Sequence, residues 1–168
     1  MLGCCLRGMK IMNEIKVISV NILSSIRKIY WFVFRPKTRG AKCIVEHDGK
    51  ILLVKLSYAH KGWTIPGGGV DRGETYEEAV RREVLEEVGI KLNGLKKIDE
   101  YLSTKYYKRD TVQVFYAKTN SSKVKLDGVE IDDYLWFDPK DSLPNPHSIR
   151  LPGLIEKFKS FKNYSNII

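Results

Sequence analysis

One segment of the chain, from Gly67 to Ile90, constrains the fold more than any other. It opens with three consecutive glycines and continues into a stretch with helical periodicity. Thr75 and Glu78 have the spacing of a capping box, which predicts that a helix begins near Tyr76. Apolar positions then recur at helical spacing, and a glycine follows them where a left-handed residue would end the helix. These positions are Val80, Val84, Val88 and Gly89.

The same predicted helix concentrates three carboxylates on one surface. Glu83, Glu86 and Glu87 are spaced i, i+3 and i+4, so their side chains are neighbours and repel one another. Such a face is either simply solvated or a site for a divalent cation. Mg²⁺ prefers carboxylate oxygens, keeps several of its waters and usually also binds substrate phosphates. The three glutamates alone do not decide between these alternatives, whereas the longer pattern around them does.

That longer pattern resembles the Nudix hydrolase family. The family pattern is G-x5-E-x7-R-E-U-x-E-E-x-G-U, in which U is a bulky apolar residue. Every fixed position is matched, at Gly68, Glu74, Arg82, Glu83, Val84, Glu86, Glu87, Gly89 and Ile90. Because so many positions agree over one short stretch, chance is a poor explanation. The resemblance covers about residues 39 to 140 and excludes the first 37.

The resemblance implies an α/β fold, an α/β/α sandwich built on a mixed sheet. It also implies hydrolysis of a pyrophosphate bond in a nucleoside diphosphate linked to another moiety, dependent on Mg²⁺ or Mn²⁺. The substrate would therefore be a small nucleotide. The extra motifs of the coenzyme A, NADH and ADP-ribose subgroups are absent. Tyr106 and Tyr107 lie where dinucleoside-polyphosphate hydrolases often have a tyrosine, although two hairpin aromatics packing on a strand are the commoner explanation.

Roles for individual residues follow from the resemblance. Glu86 and Glu87 match the main metal ligands of the family, and the carbonyl of Gly67 is a further expected ligand. Glu83 matches a residue that either binds metal or acts as the general base. Arg82 is expected to orient Glu83 through an ion pair.

Carboxylates outside the core of this cluster have less certain roles. Glu74 is expected to be structural, because a negative charge is favoured near a helix N-terminus. Many family members recruit one further acid from outside the motif, and the sequence does not choose among four candidates. These are Glu130, Asp132, Asp133 and Asp138.

Strand patterns surround the motif. A hairpin is predicted around Asp48-Gly49, a dipeptide typical of tight turns between strands. Proline-bounded apolar runs predict the remaining elements. The predicted strands are 41–47, 51–56, 62–66, 111–118 and 134–138, and a C-terminal helix is predicted after Pro152.

The charge of the chain is unevenly distributed. The net charge is +9, of which residues 1–42 carry +8 (nine Lys or Arg and one acid) and the remaining residues +1. A basic surface for sequence-specific nucleic-acid binding is therefore not expected on the catalytic part. The three cysteines have no metal-ligand spacing, which favours a reducing, cytoplasmic compartment. Among them, Cys43 is expected to be a small buried residue on a strand.

The N-terminal segment is expected to be separate, with a tail and amphipathic basic helix in residues 1–37 and the Nudix domain in 38–168. Its apolar stripe comprises Ile15, Ile18, Ile22, Ile26, Ile29 and Val33. This stripe either packs on the domain or lies on an anionic membrane surface, with peripheral contact through residues 15–35. The oligomeric state is not predicted.

Two other function classes compete with the hydrolase. A catalytically weak module would use the fold to sense a nucleotide, but such a protein would be expected to have lost at least one of the three glutamates. A second alternative makes the N-terminal helix the main functional element, tethering the domain to a membrane or partner.

Overall fold

The computed structural model describes residues 37–57, 62–103, 109–126 and 128–165. Within these ranges, Thr38–Leu102 and the chain from Thr111 onward belong to one compact unit. The predicted N-terminal helix, Tyr106 and Tyr107 lie outside the described residues. The elements are β1 (Lys37–His47), β2 (Lys50–Leu56), β3 (Trp63–Thr64), α1 (Tyr76–Val88), β4 (Asn93–Ser103), β5 (Arg109–Lys118), β6 (Ile131–Phe137) and α2 (Leu151–Ser165).

A single six-stranded sheet organises the unit. Its strand order is β3-β2-β1-β5-β4, and β6 pairs with β2 in antiparallel register. The predicted hairpin is confirmed, since Glu46 lies opposite Ile51 across β1 and β2. Asp48 and Gly49 both have positive φ, 47° and 78°, as a tight two-residue hairpin turn requires.

The chain after β3 runs beside the first half of β1. The backbone N–H of Ala41 donates to the carbonyl of Gly68 at 2.9 Å, and that of Cys43 donates to Pro66 at 3.0 Å. The glycine turn is therefore held by the same strand that continues into the hairpin. This pairing fixes the position of residues 66–69, which precede the loop that leads into α1.

The two faces of the sheet carry separate cores. Under α1 lie alternate residues of β1, including Cys43 and Val45, with Val80 and Val84 of the helix. Under α2 lie Ile44 and the other residues of its cluster. The predicted α/β/α sandwich with a mixed sheet is thus confirmed. Cys43 is fully buried, as expected, and burial raises the pKa of its thiol.

Both helices follow their sequence signals. Thr75 and Glu78 form the predicted capping box, and Gly89 ends α1 with a left-handed φ of 71°. The C-terminal helix begins at Leu151 rather than after Pro152, because a proline is tolerated in the first helical turn. Among the described residues, no helix is long and apolar enough to cross a membrane.

Strand β4 was not predicted from the sequence. None of its residues is fully buried, and polar side chains such as Lys97 and Glu100 interrupt any apolar alternation. It lies at one end of the strand order, beside β5, where a strand can be largely polar. Strand β6 also begins earlier than predicted, at Ile131. Its second and third residues, Asp132 and Asp133, are exposed and polar, so the apolar pattern did not include them.

Candidate active site

The site is built around Gly67, at the turn between β3 and α1. Its φ of 126° lies in the region that favours glycine, and a Cβ there would approach the carbonyl oxygen of Ala41 to 2.3 Å. The backbone N–H of Gly67 donates to Glu87 Oε2 at 2.9 Å. The turn and the helix are therefore joined through the buried Glu87 carboxylate.

Gly68 makes room for a second carboxylate. A Cβ on Gly68 would lie 2.5 Å from Glu83 Oε2, so any side chain there would displace that carboxylate. Glu83 and Glu87 thus both lie against the glycine turn. Glu86 is exposed and makes an i, i+4 contact with Arg82, with Oε2 3.4 Å from Nη1.

Arg82 ties the glutamates of the motif together. Its Nε and Nη2 donate to the two carboxylate oxygens of Glu74, each at 3.0 Å, in a bidentate pair. Its Nη1 donates to Glu83 Oε1 at 2.8 Å, so the expected Arg82–Glu83 ion pair is present. A further bond from Nη2 to the carbonyl of Gly69, at 3.0 Å, fixes the guanidinium on the turn.

Glu74 lies in a network that shapes the loop before α1. Arg82, hydrogen-bonded to this carboxylate, holds the pKa of Glu74 below its ordinary value. Glu74 Oε2 also accepts the backbone N–H of Asp71 at 3.0 Å, and Arg39 donates to the carbonyls of Asp71 and Glu74. These contacts support the structural interpretation of Glu74.

The electrostatics of Glu87 and Glu83 differ from those of Glu74. Burial is the main reason that the pKa of Glu87 is raised to about 7; the charges of Glu83 and Glu130 add to this effect, while Lys42 and the Gly67 N–H oppose it. Burial also raises the pKa of Glu83, against the lowering effect of Arg82. Glu87 therefore lies where negative charge is only partly compensated by the protein itself, whereas Glu83 has Arg82 as a partner.

The donor chemistry at this turn fits a hard divalent cation. Glu83, Glu86 and Glu87 offer carboxylate oxygens, and the glycines allow backbone to come close to them. As the side chains stand, no group of three or more His, Cys, Asp or Glu among the described residues is arranged to hold a metal ion. Arg82 contacts both Glu83 and Glu86 in this arrangement, and Glu86 is the exposed member of the cluster.

The candidate acids outside the motif lie at different places along β6. The charge of Glu130 acts on both Glu83 and Glu87. It precedes β6 at the end that pairs with Leu56 of β2, whereas Asp138 follows the end that pairs with Ile51. A strand of this length spans about 20 Å. Asp138 also accepts a backbone N–H from Lys140 at 2.9 Å, which is a turn contact.

The sequence reasoning did not single out Lys42. This partly buried lysine donates from Nζ to the carbonyl of Ile65 at 3.1 Å, and its charge acts on Glu87. The available signal was a lysine between Ala41 and Cys43 in a strand that is otherwise apolar for several residues.

Comparison with known proteins agrees with this geometry. The NUDIX domain model matches residues 36–158. A Bacillus subtilis (strain 168) protein named "Putative 8-oxo-dGTP diphosphatase" is 35% identical over 127 residues, covering 75% of this chain and 80% of that protein. The nucleoside triphosphatase NudI of Escherichia coli (strain K12) is 31% identical over 135 residues, covering 67% of this chain and 94% of NudI.

A solved structure shares the fold. The crystal structure of a MutT NUDIX hydrolase from Burkholderia pseudomallei superposes with a TM-score of 0.66 at 28% identity, covering 72% of this chain and 97% of that one. The glycine turn, the capped helix and the glutamate cluster therefore belong to a Nudix fold. The chain is a member of the NUDIX family. Its activity class is that of a Nudix pyrophosphohydrolase, acting on phosphoric anhydride bonds.

Proposed function

We propose that this protein hydrolyses a nucleoside triphosphate at one of its pyrophosphate bonds, with Mg²⁺ or Mn²⁺. A triphosphate is a nucleoside diphosphate linked to a further phosphate, and the names of the two sequence relatives favour that moiety. The observation that carries the metal requirement is Glu87, which is 6% exposed beside Glu83 with its pKa raised by burial.

In the proposed reaction, water adds to a phosphorus atom and the bond to the bridging oxygen breaks, so that oxygen leaves with the departing phosphate. Glu86, Glu87 and the Gly67 carbonyl are the proposed metal ligands, joined by Glu83 where it does not act as base. When bound, the cation would neutralise phosphate oxygens and acidify a coordinated water.

The residues of this chain supply position and charge. Glu83 would accept the proton of the attacking water, and Arg82 would hold its carboxylate in place through the 2.8 Å ion pair. Arg82 is itself positioned by the bidentate pair with Glu74. Among the acids outside the motif, we assign the supporting role to Glu130, because its charge reaches both Glu83 and Glu87.

The test is a substrate panel with the full chain. Nucleoside tri- and diphosphates, dinucleoside polyphosphates and nucleotide sugars are incubated with Mg²⁺ or Mn²⁺, and products are separated by chromatography. We expect the highest kcat/KM with a triphosphate. Preference for a dinucleotide or nucleotide sugar would replace the proposed substrate while leaving the family activity intact. Nucleotide binding without turnover of any panel member would instead favour the sensing module.

The roles of residues 1–37 as a separate segment and of residues 15–35 at a membrane surface stay predictions. They are tested by sedimenting the full chain with anionic and with neutral vesicles. Binding to anionic vesicles that weakens at high salt would support surface attachment. Equal sedimentation with and without vesicles would contradict it.

A further inference from the structure

The backbone from Ile65 to Gly68 makes hydrogen bonds to two different partners. The carbonyls of Pro66 and Gly68 accept hydrogen bonds from Cys43 and Ala41 of β1. Gly67, between them, has a φ of 126° and instead gives its N–H to Glu87 Oε2 at 2.9 Å.

Lys42 reaches this backbone from β1. Its Nζ donates to the carbonyl of Ile65 at 3.1 Å and lies 3.5 Å from Thr64 Oγ1. The ammonium and the Glu87 carboxylate thus contact backbone groups of Ile65 and Gly67, two residues apart.

The ammonium of Lys42 ends beside Thr64 rather than in the core under α2. Thr64 lies opposite Val54, a residue of the core under α1, so these two side chains share that face of the sheet. A phosphate chain bound at the glutamates would therefore also lie near the ammonium of Lys42.

We propose that Lys42 is a binding residue for the phosphate chain of the substrate. A polyphosphate meets several carboxylates at this site, and a fixed ammonium near them would offset part of the repulsion. Lysine is a compact charge with rotatable donors, suited to a phosphate group as a point contact. This inference rests on the proposed function, because it assigns Lys42 to the same site.

The test compares Lys42→Met with Lys42→Arg and with Lys50→Met as control, all in the full chain. Lys50 is an exposed residue that begins β2 beyond the hairpin turn. Inhibition by inorganic pyrophosphate and the KM for a nucleoside triphosphate are measured with Mg²⁺. We expect both constants to rise roughly tenfold to a hundredfold in Lys42→Met, as for loss of a charged hydrogen bond. Lys42→Arg should recover most of the loss, and Lys50→Met should match the wild type.

A second measurement needs no variant and remains informative if Lys42→Met does not fold. The wild-type chain is treated with a limiting amount of an amine-reactive acetylating reagent, with and without pyrophosphate and Mg²⁺. The acetylated lysines are then quantified by mass spectrometry. Pyrophosphate should slow the modification of Lys42 and leave that of Lys50 unchanged.

The outcomes separate this inference from the proposed function. A wild-type chain that neither turns over a triphosphate nor is inhibited by pyrophosphate contradicts the proposed function itself. A wild-type chain that is active, with unchanged inhibition constants in Lys42→Met or equal acetylation of Lys42 with and without pyrophosphate, overturns the inference alone. In that case Lys42 serves to balance the charge of Glu87.

Discussion

Two glutamates of this protein are almost equally buried but have different surroundings. Glu46 is 5% exposed and Glu87 is 6% exposed. Glu46, on β1 under α2, accepts hydrogen bonds from the Tyr116 hydroxyl at 2.7 Å and from Lys162 Nζ at 3.0 and 3.1 Å. Glu87, on α1, accepts the Gly67 N–H at 2.9 Å and lies near other carboxylates.

The difference lies in how the charge of each carboxylate is compensated. The Glu46 carboxylate is compensated by a cation and a hydroxyl, and burial together with that hydrogen bond raises the pKa of Tyr116. Burial raises the pKa of Glu87 to about 7, with Glu83 and Glu130 adding to the effect. A buried carboxylate whose charge is poorly compensated is a candidate for binding a cation from outside the protein.

The largest expected effect is that of metal removal. Exhaustive chelation with EDTA should abolish hydrolysis, and Mg²⁺ or Mn²⁺ should restore it, because carboxylates alone repel a polyphosphate. Added metal should also raise the melting temperature of the wild-type chain, since it binds the folded state. Full activity after chelation would show that the Glu87 cluster works without a cation, which would break the comparison with Glu46.

The second prediction compares the glutamate-to-glutamine change at Glu87 with the same change at Glu46. Glu87→Gln should lower kcat by at least ~10², as for loss of an electrostatic stabiliser, and should leave the fold intact or more stable. Glu46→Gln should have little effect on kcat. Steady-state kinetics and thermal denaturation of both variants provide the measurement.

Two results would contradict the expected difference between Glu46→Gln and Glu87→Gln. If Glu46→Gln lowers kcat as much as Glu87→Gln does, the α2 side of the sheet takes part in the reaction. If Glu87→Gln keeps wild-type turnover, the assignment of Glu87 as a ligand is wrong. Glu86→Gln, at the exposed member of the cluster, serves as a further comparison and should also lose activity.

The two regions also differ in how far sequence could predict them. The α1 side depends on local signals: the capping box, the valine stripe and Gly89 all lie within one segment, and the structure follows them. The contact of Glu46 with Lys162 joins residues 116 positions apart, which no local pattern reveals. Lys42 is similar, because its approach to Ile65 depends on how β1 pairs with the glycine turn.

The third prediction concerns how much the contacts of Glu46 contribute to the free energy of unfolding. Lys162→Met removes the cation that contacts Glu46, and Tyr116→Phe removes the hydroxyl. Each should lower the free energy of unfolding by about 1–3 kcal/mol, because the buried Glu46 carboxylate loses one of these two hydrogen-bond partners. Lys159→Met, which breaks an exposed i, i+3 pair with Glu156, should cost less than about 1 kcal/mol.

Denaturant titration of these variants, together with the double variant Glu46→Gln/Lys162→Met, tests whether the groups act as a unit. The double variant should lose less than the sum of the single losses, since each single substitution already removes the charge interaction that the two residues share. Strictly additive losses would mean that the network contributes little beyond its separate contacts. Activity at a temperature below all transitions should stay near that of the wild type.

The smallest expected effect concerns the acids outside the motif, and it refines the account of Glu87. Glu130→Gln should lower kcat about fivefold, since a solvent-screened charge interaction is worth about 1 kcal/mol. Asp138→Asn should leave kcat unchanged, because that residue lies at the other end of β6 and accepts the Lys140 N–H. Glu130 is exposed and precedes the strand, so neither change should alter stability measurably. A larger loss in Asp138→Asn than in Glu130→Gln would reverse the choice between them. A loss in Glu130→Gln as large as that in Glu87→Gln would instead make Glu130, rather than Glu83, the first candidate for the general base.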